Sequence, residues 1–286
     1  MSTVDLTAGV PATAPADAPS GLAGLGVRLL RGLLSSAISI GVVLLFWWGF
    51  LKVFDVLPFV GKGPGDVWRY LMTSPDAHAH RTVVLSETRT TLRDAFLGLT
   101  AGSVAAVLAS LVFNLWRPLQ RTFMPVAMVL RSVPLVAMTP LIVLIFGRGL
   151  ATVTVIAGIV TFFPTLVNVT LALGSTPKES LDLMAAYGAS PSKTLWKVQV
   201  PSSLPALFAS LRIAAPLALV GALLAEWLAT GGGLGYSIIQ AGALSDYNGL
   251  WARVAVITIC SVLLYRLIGA VERAVLVRFA AVAPGR

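Results

Sequence analysis

Residues 151–173 read ATVTVIAGIVTFFPTLVNVTLAL, and residues 174–203 read GSTPKESLDLMAAYGASPSKTLWKVQVPSS. The first stretch contains no Asp, Glu, Lys or Arg. At about 1.5 Å per residue its helix is long enough to cross a hydrocarbon layer about 30 Å thick. The second stretch carries Lys178, Glu179, Asp182, Lys193 and Lys197, and a new apolar run begins at Leu204. An apolar run, a polar connection and another apolar run describe a chain that crosses a bilayer, turns in water and crosses back.

Working outward, six stretches meet the length and apolarity of a spanning helix: 33–54, 92–113, 123–146, 151–173, 204–228 and 251–271. The composition agrees. Of 286 residues, 57% are hydrophobic and 12% charged, with a mean hydropathy of +0.87. A soluble domain carries about 25% charged residues, so the apolar surplus faces lipid. The predicted fold class is all-α: a polytopic transmembrane bundle of about six spans over 27–275, with a disordered tail at 1–26 and a short tail at 276–286. Residues 61–91 read as a polar outer loop with a short helix near 64–73. The Gly231–Gly235 run reads as a flexible outer loop.

The net charge is +9. These cations sit between apolar runs and form no stripe or groove, which excludes a nucleic-acid partner and points to the positive-inside bias of membrane proteins. With the N-terminus inside, the inner side holds Arg28, Arg31, Arg117, Arg121, Lys178, Lys193, Lys197, Arg273, Arg278 and Arg286. The outer side holds Lys62, Arg69, Arg81, Arg89 and Arg148. That asymmetry predicts a multi-pass protein of the cell membrane with both termini cytoplasmic.

Chemistry-bearing motifs are sparse. The glycines at 231–235 follow an apolar run rather than a strand, and Gly61-Lys62-Gly63 lacks the spacing of a phosphate-binding loop. No catalytic residues and no metal ligands are expected, and His78 and His80 read as solvated. Cys260 reads as a small buried hydrophobe. Arg131, Met138, Arg212 and Glu226 lie within the spans. Ionisable groups there face a cavity or a partner, so the three ionisable residues, together with Met138, are candidates for a translocation pathway. For the two arginines the competing reading is a tie between helices.

The polar connection carries the most specific signal. Thr176-Pro177 and Ser190-Pro191 are helix starts, so two short helices broken at Gly188 are expected. Asp182-Leu183-Met184, then Gly188, then Val198 and Val200-Pro201 resemble the EAA loop of binding-protein-dependent ABC importer permeases, in which Glu-Ala-Ala is followed at fixed spacing by Gly, Ile and Leu-Pro. Asp182 stands at the Glu position, and Leu183-Met184 replace the alanines. Further short matches run in order along 57–275: Leu130-Arg131-Ser132-Val133-Pro134, Leu211-Arg212-Ile213-Ala214, Ala225-Glu226 and Gly233-Leu234-Gly235. They resemble the sulfonate, taurine, nitrate and bicarbonate branch.

The resemblance implies a MetI-like permease fold and a transport subunit rather than an enzyme. It implies cytoplasmic ABC ATPase subunits, an extracytoplasmic solute-binding protein and a second permease copy, forming a homodimer in membrane lipid. This chain binds no cofactor of its own, and ATP-Mg belongs to the ATPase. Leu181, Asp182, Met184, Ala185, Gly188, Val198, Val200 and Pro201 become the ATPase-coupling residues, with Leu181, Met184, Ala185, Leu195 and Val198 supplying an apolar face for a groove on the partner. The solute is expected to be a small anion or a small organic heterocycle. The rival class is a secondary transporter or intramembrane enzyme with no ATPase, but no repeat between the halves supports it.

Overall fold

The computed structural model describes residues 22–280, with side chains over 34 and 37–277. The described residues contain helices and no strand. They divide into two units at Leu57 and Pro58.

The first unit is helix α1, Leu22–Val53. Within it, Ala37–Val53 is an apolar stretch slightly shorter than a full span. Ile40, Val43, Leu45 and Trp48, which point to different sides of it, are all exposed. A helix that is apolar all round suits hydrocarbon rather than water. Phe46, Phe50 and Phe54 stack along it at centroid separations of 6.3 and 4.6 Å. The tails expected at 1–26 and 276–286 lie outside the described residues, apart from 22–26 and 276–280, which are helical.

The second unit contains ten helices: α2 (Pro64–Trp68), which continues as a π-helical turn Arg69–Thr73, α3 (Ala77–Leu115), α4 (Arg117–Arg131), α5 (Leu135–Phe146), α6 (Leu150–Gly174), α7 (Lys178–Ala186), α8 (Pro191–Thr194), α9 (Val200–Ala225), α10 (Gly233–Ala243) and α11 (Tyr247–Ala280). A π-helical turn Leu195–Gln199 joins α8 to α9, and another, Glu226–Thr230, extends α9. Four helical segments are long and apolar enough to span a membrane: Ala77–Leu115, Leu150–Gly174, Pro191–Thr230 and Tyr247–Val277.

Two expectations need correction. Residues 123–146 are not one straight span. Helices α4 and α5 meet at 104°, because Pro134 lacks an N–H for the ladder and drives Val133 away from helical geometry. Counting the bent pair as one span gives five. Nor are residues 61–91 a loop throughout, since α3 begins at Ala77. The short helix expected near 64–73 is present as α2 and its π-helical turn.

The bundle is held by close backbone approach. On α3, Gly98 and Gly102 form a G-x-x-x-G step. A Cβ on Gly98 would collide with Ala157 of α6, and one on Gly102 with Thr161 and Gly158. On α9, a Cβ on Gly221 would lie 2.7 Å from the Ala157 Cα. Small residues at all three helices therefore converge on Ala157, which is fully buried. In lipid this is how helices associate, because hydrocarbon already solvates a leucine and only packing and polar contacts remain. Such contacts line the seam. The Thr161 hydroxyl donates to the Gly98 carbonyl (3.3 Å), Ser110 to the Leu166 carbonyl (3.2 Å) and Thr170 to the Ser110 hydroxyl (3.0 Å). Cys260 packs on the cluster of Val84, Leu99, Leu219 and Ile257, as a small hydrophobe should.

Candidate functional site

One end of the second unit gathers the 174–203 connection over the end of α3. Helix α7 closes where Gly188 takes φ +65, a left-handed turn that a β-branched residue resists. Ser190 then caps α8 by accepting from the Lys193 N–H at 3.3 Å, with Pro191 in the first turn. The two short helices expected from the sequence are thus present, with the break at the expected glycine.

The connection is fastened from beneath. Leu195 is 1% exposed and packs with Val169 and Leu173 of α6, with Val200 against the same cluster. The Gln199 side chain bridges two helices. Its Oε1 accepts from Asn114 Nδ2 at 2.8 Å, and its Nε2 donates to the Leu173 carbonyl at 3.3 Å. Leu181 and Met184 are half-buried, and Leu181, Ala185 and Ala189 roof a cleft of about 270 Å³ whose floor includes Asn114, Leu115 and Arg117. Val198 and Pro201 are half-buried, while Asp182 is exposed.

This geometry corrects the assignment of the presented face. Leu195 is core, Leu181 faces the chain's own cleft, and Met184 is half-buried. The outward face of α7 comprises Glu179, Asp182, Leu183, Ala186 and Tyr187, at the i, i+3, i+4, i+7, i+8 spacing of one helical side. Tyr187 is 82% exposed, and Leu183 and Trp196 are 57% and 59% exposed. The sequence reading passed over Leu183, Tyr187 and Trp196. The spacing that singles out Leu183 and Tyr187 is visible in the sequence, but which face points outward depends on how Leu195 and Gln199 anchor the turn.

At the opposite end, Glu226 is fully buried. Its Oε2 accepts from the Gly235 N–H (2.8 Å) and from the Thr91 hydroxyl (3.0 Å), and Thr91 Oγ1 also accepts from the Leu234 N–H (2.9 Å). The Glu226 carboxylate and the Thr91 hydroxyl thus each accept one of the open N–H groups at the start of α10, where a helix N-terminus favours negative charge. Gly233, at φ +83, leaves the space that the carboxylate fills. The glycine run is therefore a packed helix start, which overturns the flexible loop, and Glu226 joins α3, α9 and α10 rather than lining an open pathway.

Around this end, Arg253 of α11 donates to both Glu87 oxygens of α3, from Nε at 2.8 Å and Nη2 at 3.1 Å. Tyr70 stacks on His80 with centroids 3.9 Å apart and planes 6° apart, and the His80 ring contacts the Tyr70 carbonyl oxygen at 3.0 Å. His80 is therefore packed rather than solvated. Burial, followed by the Asp246 carboxylate, pushes the Tyr70 phenol above its ordinary value. Among the described residues no group of three or more His, Cys, Asp or Glu side chains could hold a metal.

The remaining pathway candidates separate. Arg212 of α9 pairs with Glu272 of α11 at 3.0 Å, and its guanidinium lies 5.3 Å from the Tyr265 ring centroid. This is the helix-to-helix tie of the competing reading, made through a carboxylate. Arg131 is exposed in the last turn of α4, beside the 104° bend. Met138 is half-buried and packs on the cluster of Ile142, Val153, Ile156 and Ala225.

Comparison with known proteins fits these features. Residues 98–277 match the family described as binding-protein-dependent transport system inner membrane component. A probable ABC transporter permease protein of Haemophilus influenzae is 30% identical, over 84% of this chain and 94% of its own length. The formylaminopyrimidine transport permease protein ThiX of Halalkalibacterium halodurans is 31% identical, over 72% and 85%. The taurine transport system permease protein TauC of Escherichia coli is 25% identical, over 82% and 86%. Permeases named for nitrate, aliphatic sulfonates and bicarbonate also match, as the branch resemblance led one to expect. Among solved structures, the inward-facing MetNI methionine ABC transporter aligns with TM-score 0.62 at 22% identity, covering 68% of this chain and 97% of that one. This chain belongs to the family of binding-protein-dependent transport system inner membrane components.

Proposed function

We propose that this inner-membrane component is the pathway-forming permease of an ATP-driven importer, and that the 174–203 connection transmits movement from a cytoplasmic ATPase to the spans. The observation that carries the reading is the outward face of α7. Glu179, Asp182, Leu183, Ala186 and Tyr187 stand exposed on a short helix joined through Gly188 to a segment that Gln199 and Leu195 fasten to α3 and α6. A helix with apolar anchors and acidic flanks suits a groove on a partner, and the buried Leu195 and Gln199 carry its displacement into α9. Gly188 sets the angle between the two short helices.

The excess of Lys and Arg on the 174–203 side supports a cytoplasmic connection with both termini inside. A solute-binding protein docks at the other end, near α10. A second copy of this chain completes the pathway along α5, where Leu141, Leu144 and Ile145 are exposed. Arg131, at the bend, and Met138 belong to that pathway. Arg212 is spent on Glu272, so only one of the two arginines remains for an anion, and the ThiX relative is named for a pyrimidine. We therefore favour a small organic heterocycle over an inorganic anion as the solute.

The test uses the cognate ATPase and sealed membrane vesicles. The ATPase should bind inside-out vesicles and not right-side-out ones. Gly188→Val and Asp182→Lys should leave membrane levels intact while weakening that binding and abolishing ATP-driven uptake. Full binding and uptake in Gly188→Val would reduce the connection to a linker and remove the claim.

A further inference from the structure

The α4 helix carries a feature that transport does not require. Arg117, Gln120, Arg121, Met124, Pro125 and Met128 fall on one stripe and line a cleft of about 460 Å³ along it, within the range of small-molecule sites. The stripe is divided by polarity. Its first turns carry two guanidiniums and an amide, and its later turns carry only apolar side chains. Arg117 and Arg121 are exposed, and neither has an acid within ion-pair distance among the described residues. Trp116, immediately before them, is 59% exposed. Tryptophan beside arginine at the end of an apolar helix marks the headgroup level of a bilayer.

We propose that this stripe is a binding site for an anionic phospholipid, with the phosphate held by Arg117 and Arg121 and an acyl chain lying along Met124, Pro125 and Met128. The spacing suits such a ligand. From Arg121 to Met128 the helix rises about 10 Å, room for a substantial part of one acyl chain. Two arginines one turn apart hold a phosphodiester through charge-assisted hydrogen bonds, and adaptable methionines suit a flexible chain.

Charge selects this occupant over a second copy of the protein. Residues 117–128 contain no Asp or Glu, so pairing the α4 stripe with itself would leave Arg117 and Arg121 of both copies, four arginines, without a counter-ion. The exposed acids described at this end are Glu179 and Asp182, on the face assigned above to the ATPase. A lipid phosphate supplies the missing negative charge. The inference rests on the chain lying in a membrane and not on the coupling reading, so lipid binding and uptake can fail separately.

The test is titration of phosphatidylglycerol and of phosphatidylcholine into the delipidated full-length protein in detergent, read by native mass spectrometry. Wild type should prefer phosphatidylglycerol. Each cation near an anionic lipid is worth about fivefold, so Arg117→Gln/Arg121→Gln should weaken that binding about twentyfold and erase the preference. Arg117→Lys/Arg121→Lys should keep much of it, and Lys193→Gln/Lys197→Gln should behave as wild type. Equal binding of the two lipids by wild type, or unchanged phosphatidylglycerol binding in the Gln variant, overturns the proposal. So does a change of oligomeric mass in the Gln variant, which would assign the stripe to a contact between copies.

Discussion

Replacing Leu183 and Tyr187 together by alanine strips the outward face of α7 without disturbing its seat. Tyr187 is 82% exposed and Leu183 57% exposed, so neither contributes much to the fold of the isolated chain. A tyrosine presents about 150–250 Å², and covering four-fifths of that at about 25 cal/mol per Å² is worth about 3–5 kcal/mol. Covering about half of a leucine adds about 1 kcal/mol. Immobilising the two side chains returns about 1–3 kcal/mol, leaving a net of about 3 kcal/mol. At about 1.4 kcal/mol per tenfold, the double variant should bind the ATPase about a hundredfold more weakly. The assay is equilibrium binding of the purified ATPase to the permease in lipid nanodiscs, alongside thermal unfolding of the permease alone. Leu195→Ala is the counterpart. It empties a site that is 1% exposed and should cost about 2–5 kcal/mol of stability, seen as early unfolding before any binding is measured. Binding by Leu183→Ala/Tyr187→Ala within threefold of wild type would refute the assignment of the outward face.

Two further outcomes follow from polar contacts between helices. Glu226→Ala leaves the Gly235 N–H without its acceptor in a fully buried place, which costs about 1–3 kcal/mol. Thermal unfolding should come clearly earlier, while Glu226→Gln, which keeps one acceptor oxygen, should retain most of the stability and transport solute; equal stability of Glu226→Ala and wild type would contradict the role given to the carboxylate. For the α9–α11 tie, Arg212→Gln and Glu272→Gln should each destabilise the chain, and the double variant should be about 1 kcal/mol more stable than the worse single variant, because removing one partner strands the other charge. A strictly additive pair in unfolding measurements would show that the 3.0 Å contact carries no coupling.

What the sequence disclosed follows from which forces act locally. Burial in hydrocarbon demands a long apolar run, so 151–173 and 251–271 are readable from composition alone, and both are helical and apolar enough to span. Caps and turns are equally local. Ser190-Pro191 and Gly188 announce two short helices, and the structure places a side-chain cap and a left-handed residue at those positions. The Gly98–Gly102 step is also written in the sequence, as a pattern of small residues, although its meaning needs the partner helix that carries Ala157.

The misreadings share a different origin. Residues 231–235 have the composition of a loose loop, and nothing within them reveals the carboxylate of Glu226 that fills the space above Gly233 and receives the Gly235 N–H. Leu195 and Leu183 are alike as residues, yet one is core and the other is presented. The difference arises because Gln199 joins Asn114, 85 positions away, to the Leu173 carbonyl. Arg212 and Arg131 look equivalent along their spans until Glu272 claims one of them. Each error concerns a contact made by a residue outside the stretch being read, and each moves a side chain between holding the bundle and facing a ligand. In a membrane protein that distinction governs function more than helix position does. Lipid supplies no hydrophobic drive between spans, so every polar side chain inside must be committed to a partner or left open to the pathway. Glu226, Arg253 and Arg212 are committed. Arg131, exposed where α4 and α5 diverge at 104°, has no such partner among the described residues, which is why the proposed pathway runs past it.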